Sequence, residues 1–595
     1  MDKNITKRLV TTLLLIPAVL GQTVLAKESW VERSDMIAYE VLESTAHFTP
    51  EFAGQTGVEG FDEEIFDLQP NRSERQIAIY RANIDSLESL LVKESDVRVR
   101  QDLQIIIKDQ RNSVEATEIE LARVLPYFNL PRLIFAGFNG LLDKQTPFER
   151  QRAALARLKK YTGQADGYTP ISELARERMS ERFDQGLIRP FKGEVEQDLK
   201  RSLVFINGLA DLFAATELEG YEEDLSLLQD QLTSHTKWVE QEFLSRSRED
   251  AALPRELYEL QLKNYGVDLS PEALIEIGRV AFMDIRNEMM ALAPLVAAEK
   301  GYEVTDYRAV IKRLKEDQVF GKDLMTEYER VMEELDAIAA REGLVSLPEE
   351  PARVRMATPA ESAQTPAAHL SIPRLVGNTG EFPEFIVPNI AQNADGTWPD
   401  NDYAGRAQMW TLAAHEARPG HEMQFTTMLK GGVSIARATF AFNSANVEGW
   451  ALYAESIMKP HMPLEGQLMS LKARLLRAQR IWMDPMLNLG LATREEVKRL
   501  LMEEVVSSEA SANNELDRYI FRIPGQATAY YYGYIMLQGL RADAEIKLAD
   551  KFVDHEFHDF ILAQGLLPPS ILRQSVMDDF VAPRLESAST PVAPE

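Results

Sequence analysis

The sequence predicts a mainly α protein, a two-lobed helical body with a small β element near residues 350-390. Three observations lead there. Apolar residues recur at spacings of three and four, as in Ile77, Tyr80, Ile84, Leu87 and Leu91, which sets them on one face of a 3.6-residue helix. At 595 residues the chain exceeds what one hydrophobic core ordinarily organises, so two lobes are expected. Between Glu349 and Asp400 prolines and glycines crowd in and the helical period is lost, which places the lobe boundary near residue 345.

At the N-terminus, Lys3, Lys7 and Arg8 precede an apolar stretch from Leu9 to Leu20, and Val24-Leu25-Ala26 offers a small-residue cleavage site. This is the layout of a secretory signal peptide over residues 1-26, too short to span a bilayer. It predicts a periplasmic or secreted protein with no membrane span. The sequence has no cysteine, so no lipid anchor on a cysteine, disulfide, thiolate ligand or cysteine nucleophile is expected.

Residues 27-345 form the expected N-terminal helical lobe. Within it, Ser270 reads as a helix cap with Pro271 at the first helical position, and Leu274, Ile277, Ala281, Ile285 and Met289 follow as a stripe. Residues 346-584 form the second lobe. In it Glu384-Phe385-Ile386-Val387 lies between Pro383 and Pro388 and reads as a short edge strand. Such an edge can pair with a peptide backbone, which makes Phe385, Ile386 and Val387 candidate substrate-binding residues; a structural hairpin is the alternative. Residues 585-595 are acidic and proline-dotted, as in a disordered tail.

Apolar content of 45% with 27% charged residues is that of a globular protein. The net charge is −28, and −30 without residues 1-26. A surface this acidic repels phosphates, so nucleic acid is not an expected partner.

The most informative segment is His415-Glu416-Ala417-Arg418-Pro419-Gly420-His421-Glu422-Met423-Gln424-Phe425, which holds two of the eight histidines. Two neutral imidazoles can hold a metal ion while an adjacent glutamate serves as general base. Six residues of helix turn through about 600°, however, so a regular helix would aim the two rings apart. Either Pro419-Gly420 distorts the helix so that His421 returns towards His415, or these are hydrogen-bonded core histidines. Gly431-Gly432 stops the segment. About thirty residues on, Glu448 and Glu455 stand two turns apart on one helical face. One suits a third metal ligand, the other a carboxylate that orients a ligand imidazole. Glu422 lies two turns, about 10 Å, from His415 and falls outside the ligand set.

Three blocks carry a resemblance to a known family: His415 to Gln424, Glu448 to Glu455, and Pro524 to Tyr530 with Gly533 and Leu540-Arg541. They resemble the H-E-A-x-P-G-H, E-G-W-A-x-Y-x-E and third blocks of the bacterial family known as domain of unknown function 885. The likeness extends forward through Leu125-Pro126-Tyr127 and Arg150 to Tyr161, over most of the mature chain. The family is related to zinc peptidases of the thimet oligopeptidase and carboxypeptidase Taq type, which implies a helical fold with a deep cleft and a metallopeptidase-like second lobe. It implies one Zn2+ per chain on His415, His421 and Glu448, with Glu416 as general base, Glu455 behind the ligands and a short peptide as substrate. Tyr531-Tyr532-Gly533-Tyr534 resembles the Y-Y-G-Y loop of the oligopeptidases, so Tyr530 or Tyr531 would stabilise the oxyanion and Tyr534 would touch substrate. Arg541 is a candidate to anchor a substrate carboxylate, an internal salt bridge being the commoner role of a helical arginine. Two departures stand out: those peptidases lack the two extra residues between the histidines, and many family members carry histidine where this chain has Glu422.

A metal-dependent amidase acting on a non-peptide bond would use the same residues. A non-catalytic periplasmic protein that binds peptides or a partner would keep the scaffold without the metal. His555 and His558, three apart in an acidic setting, read as surface histidines rather than a rival metal site.

Overall fold

Caps and turns written in the sequence open and close the helices. Ser270 accepts from the Ala273 amide and Pro271 follows, which starts α1 (Pro271–Lys300). Leu274, Ala281, Ile285 and Met289 are buried along it, as the stripe requires, and Ile277 packs against the edge of the core. Gly432 ends another helix in the left-handed conformation at φ 67°, as expected for a glycine stop.

The computed structural model describes residues 29–586 except 366, 394 and 399–401. The expected signal peptide and residues 587–595 of the expected tail lie outside them. Leu585 and Glu586 instead end a short helix, Ala582–Glu586. The described chain is mainly α, as predicted. The helices that build the site are α2 (Arg406–Glu416), α3 (His421–Gly431), α4 (Ser444–Met458), α5 (Leu464–Asn488) and α6 (Thr528–Leu548). Among the described residues no helix is long and apolar enough to cross a membrane.

The main core does not divide at residue 345. One continuous cluster takes in Leu274, Met289, Tyr328 and Leu335 before that point and Phe385, Trp410, Trp450 and Tyr532 after it. A separate cluster around Phe135, Phe138, Tyr161 and Phe213 lies wholly within 68–232. A cavity of about 970 Å³ opens between Arg72, Tyr127 and Glu194 on one side and Ile523 and Pro524 on the other.

The β element forms, with a different topology from the expected edge strand. β1 (Arg353–Met356) runs parallel to β3 (Glu384–Val387), and β2 (His369–Ser371) runs antiparallel on its other side, in the order β1-β3-β2. Pro383 and Pro388 sit just outside β3 and remove no ladder donor, so they do not confine it to an edge. Phe385, Ile386 and Val387 are at most 1% exposed, and Phe385 meets Tyr328 edge-on at 5.2 Å. With both edges of β3 paired, these three residues are core, and their expected role in binding a peptide is withdrawn.

Two crossings depend on glycine. A Cβ on Gly278 of α1 would lie 2.7 Å from Ile481 and Trp482 of α5. At the crossing of α4 and α6, a Cβ on Gly533 would lie 1.8 Å from the Ala445 carbonyl oxygen and 2.8 Å from Gly449 Cα. Here backbone touches backbone, and no side-chain rotation can relieve an added methyl. Gly533→Ala is therefore expected to lower the unfolding free energy by about 3 kcal/mol or more. Gly431→Ala, where a Cβ meets nothing within 4 Å, should shift it by about 0.5 kcal/mol at most. Urea denaturation compares the two, and equal midpoints would mean a looser crossing than described.

Candidate metal centre

The six-residue spacing closes because the helix breaks. α2 ends at Glu416, and Ala417 leaves the helical region at φ −97°, ψ −111°. The Arg418–Pro419 bond is cis, and the chain folds back across the end of α2. A Cβ on Gly420 would sit 1.9 Å from the His415 carbonyl oxygen and 2.5 Å from that of Ala414, so only glycine fits. α3 then begins at His421, and the two imidazoles come to a centroid distance of 4.8 Å at 81°.

Buried Arg418 holds this reversal. Its Nε and Nη2 donate to the two carboxylate oxygens of Glu422 at 2.6 and 3.2 Å, and Thr426 Oγ1 donates to Glu422 at 2.8 Å. Glu422 is thus committed to the reversal. From α4, Trp450 Nε1 donates to the Pro419 carbonyl at 2.9 Å.

α4 brings both predicted carboxylates to the histidines. Glu455 Oε1 accepts from His415 Nδ1 at 2.7 Å, and its Oε2 accepts from Thr411 Oγ1 at 2.6 Å. In the neutral ring that bond keeps the proton on Nδ1 and leaves Nε2 as the lone pair. Glu448 Oε2 lies 3.5 Å from His415 Nε2 and 3.3 Å from His421 Nε2, buried and without a hydrogen-bond partner. The ligand atoms of His415, His421 and Glu448 all fall within 4.8 Å of one another. Bonds of about 2.0–2.1 Å in a tetrahedral site put neighbouring ligand atoms about 3.3–3.4 Å apart, so the two measured separations match a shared ion.

The electrostatics make the same demand for positive charge. Burial opposes a charged His415, yet Glu448 and Glu455 outweigh it and raise its pKa to about 9. Burial would raise Glu448, but the two facing imidazoles hold it well below the usual carboxylate range. His421 Nδ1 is buried without a partner, so no hydrogen bond fixes the tautomer of that ring.

Glu416 follows His415 directly, and among the described residues its side chain has no hydrogen-bond partner. Burial lifts its pKa above the ordinary value, while His415 and His421 pull it down. Tyr530 stacks on His415 at 6.3 Å and 12°. Its hydroxyl accepts from Arg518 Nη2 at 2.7 Å, so its own proton remains available to an oxygen.

Other expectations are corrected. The Tyr531–Tyr534 segment is helix, inside α6, rather than a loop. One residue in a helix is 100°, so Tyr530 faces His415 whereas Tyr531 packs on Tyr534 at 5.5 Å. Tyr534 shares its hydroxyl with Gln538 and Ser456 at 3.2 and 3.4 Å. Arg541 is held inside the protein by Glu545 at 2.5 Å, by Asp554 and by the Tyr453 hydroxyl at 3.2 Å, and is not free to anchor substrate. His558 is fully buried rather than superficial, between Leu344 O and the Tyr453 hydroxyl at 2.7 Å each. Burial lowers its pKa to about 4, so it is a neutral core histidine.

Sequence reasoning missed Thr411, one turn before His415, and Arg477, whose Nη2 lies 3.6 Å from Glu455 Oε1. The signal for the second was present: Arg474, Arg477 and Arg480 recur every three residues along one helix.

Solved structures resemble this fold. A candidate lipoprotein of unknown function from Shewanella oneidensis matches with TM-score 0.70 at 18% identity, over 93% of this chain and 100% of that one. A candidate lipoprotein from Colwellia psychrerythraea matches with TM-score 0.74 at 18% identity, over 92% and 99%. A candidate oligoendopeptidase F from Bacillus anthracis reaches TM-score 0.23 at 12% identity, over 86% and 96%, and at that score carries no argument. A comparison with curated proteins found no match. The family described as bacterial protein of unknown function (DUF885) matches residues 50–576, a span that holds the histidines, Glu448 and Tyr530, and the chain belongs to that family.

Proposed function

We propose that the protein is an exported zinc metallopeptidase that hydrolyses short peptides. The observation that carries this is the convergence of His415 Nε2, His421 Nε2 and Glu448 Oε2, at 3.5 and 3.3 Å, with His415 oriented from behind by Glu455. Three buried lone pairs facing one another repel unless a cation lies between them. Two imidazoles and a carboxylate make a donor set suited to zinc. Export rests on the pattern of residues 1-26.

When bound, zinc supplies Lewis acidity and brings the pKa of a water it holds to about 7. The protein's own residues do the rest. Glu455 keeps the His415 proton on Nδ1 and its lone pair forward. Glu416, its pKa raised by burial, takes the proton of the attacking water and returns it to the leaving amine. The Tyr530 hydroxyl, held by Arg518, donates to the carbonyl oxygen as negative charge develops there.

Metal analysis of purified mature protein should find one zinc per chain, lost in His415→Ala. Glu455→Gln should bind zinc about 10–100-fold more weakly, as when an orienting partner is removed. No zinc in the wild type after loading and washing would end the proposal. Glu416→Gln should keep its zinc and lose about 10²–10⁴-fold in kcat on a fluorogenic peptide; undiminished turnover would remove Glu416 from the mechanism.

A further inference from the structure

Beside the metal centre stands a surplus of guanidinium groups that the steps above do not use. α5 carries Arg474, Arg477 and Arg480 at three-residue steps, a spacing that makes one ridge along a helix. Arg477, Arg480 and Arg518 surround the Tyr530 ring at 5.7, 4.5 and 5.0 Å from its centroid. Arg474 lies 5.4 Å from the Tyr534 ring, one turn further along α6. Through Tyr530, stacked on His415, the ridge adjoins the metal ligands.

The carboxylates on this side do not match the ridge. Glu515 takes Arg480 through two bonds of 2.8 and 2.6 Å. Glu455 lies 3.6 Å from Arg477 but is shared with His415. Arg518 donates to the neutral Gln526 and Tyr530 and comes no nearer than 3.9 Å to Glu515. Among the described residues Arg474 has no carboxylate partner. Its Nε and Nη2 are buried without an acceptor, as are Arg477 Nε and Arg480 Nη1, although Arg474 is only 8% exposed. Burying charged donors unpaired is costly. It is unusual too in a chain of net charge −28, where carboxylates are plentiful. Neighbouring Arg518, Arg477 and Glu448 keep side chains 19%, 12% and 16% exposed.

We propose that Arg474 receives a carboxylate of the substrate, so that the centre acts on peptides bearing an anionic group beside the scissile bond. This rests on the peptidase reading of the same site. The carboxylate has two possible sources, a free peptide C-terminus or a glutamate or aspartate side chain, and both offer the planar acceptor that guanidinium binds.

The test is calorimetric binding to zinc-loaded Glu416→Gln protein of three N-acetylated tetrapeptides. One is tetra-alanine with a free C-terminus, one is its C-terminal amide, and one is an amide with glutamate at the last position. One of the two anionic peptides is expected to bind about 10–100-fold more tightly than the neutral amide, and which one identifies the source. The preference should fall to within about threefold in Arg474→Gln and survive in part in Arg474→Lys. Equal affinities for the three peptides in the parent, or binding by none, would overturn the proposal without recourse to a variant. So would an intact preference in Arg474→Gln. Carboxylate-dependent binding in a protein whose wild type cleaves no peptide would remove the hydrolytic reading and leave Arg474 as the carboxylate site of a peptide-binding protein.

Discussion

The centre depends on a steric constraint at Gly420. The backbone there lies so close to the Ala414 and His415 carbonyls that a Cβ would overlap them. Because it can lie there, α3 starts against the end of α2 and His421 comes back to within ring contact of His415. A side chain at this position would push α3 away, and the Nε2 atoms would no longer face one Glu448 oxygen. The Arg418–Glu422 pair and the Trp450–Pro419 bond then hold the reversal from two directions. Both bonds are buried, where they have no water to compete with them.

Charge is the second organising quantity. Glu416, Glu448 and Glu455 are gathered around two imidazoles with little solvent. Such a cluster is stable only if cations offset it. Arg477 beside Glu455 and Arg518 beside Tyr530 supply part of that charge, and a divalent ion between the ligand atoms would supply more. The upward shift of His415 expresses the same deficit: without an ion, a proton is the nearest substitute. On the far side of Tyr530 the balance reverses, with arginine donors in excess of acceptors. Two surfaces of opposite character thus adjoin, one rich in carboxylates and one rich in guanidinium.

The helices serve these surfaces through close approach. Glycine on both sides of the α4–α6 crossing lets Tyr530 lie over His415, while α4 presents Glu448 and Glu455 from one face. The positions of Tyr530, Glu448 and Glu455 therefore hang on one backbone contact, and their mutual geometry is set by helix packing rather than by flexible loops.

Periodicity, caps and glycine stops were enough to read the mainly α fold, the start of α1 and the stop at Gly432, because these are local preferences of the chain. The shared face of Glu448 and Glu455 was legible too, since a separation of two turns survives in any helix. Other features belong to the tertiary structure alone. Whether His421 turns back was undecided by spacing and is decided by the fit of Gly420 against α2. The proline-flanked strand proved central because β1 and β2 arrive from outside it to pair. Arg541 and Tyr534 each bond a residue one turn on, Glu545 and Gln538. The partners that complete their surroundings, Asp554, Tyr453 and Ser456, come from other segments, and His558 is buried by contacts with Leu344 and Tyr453. The arginine ridge shows as a three-residue spacing, but its lack of acceptors does not. Local sequence dictates which backbone forms; which side chains are left unpaired depends on what other segments bring to meet them.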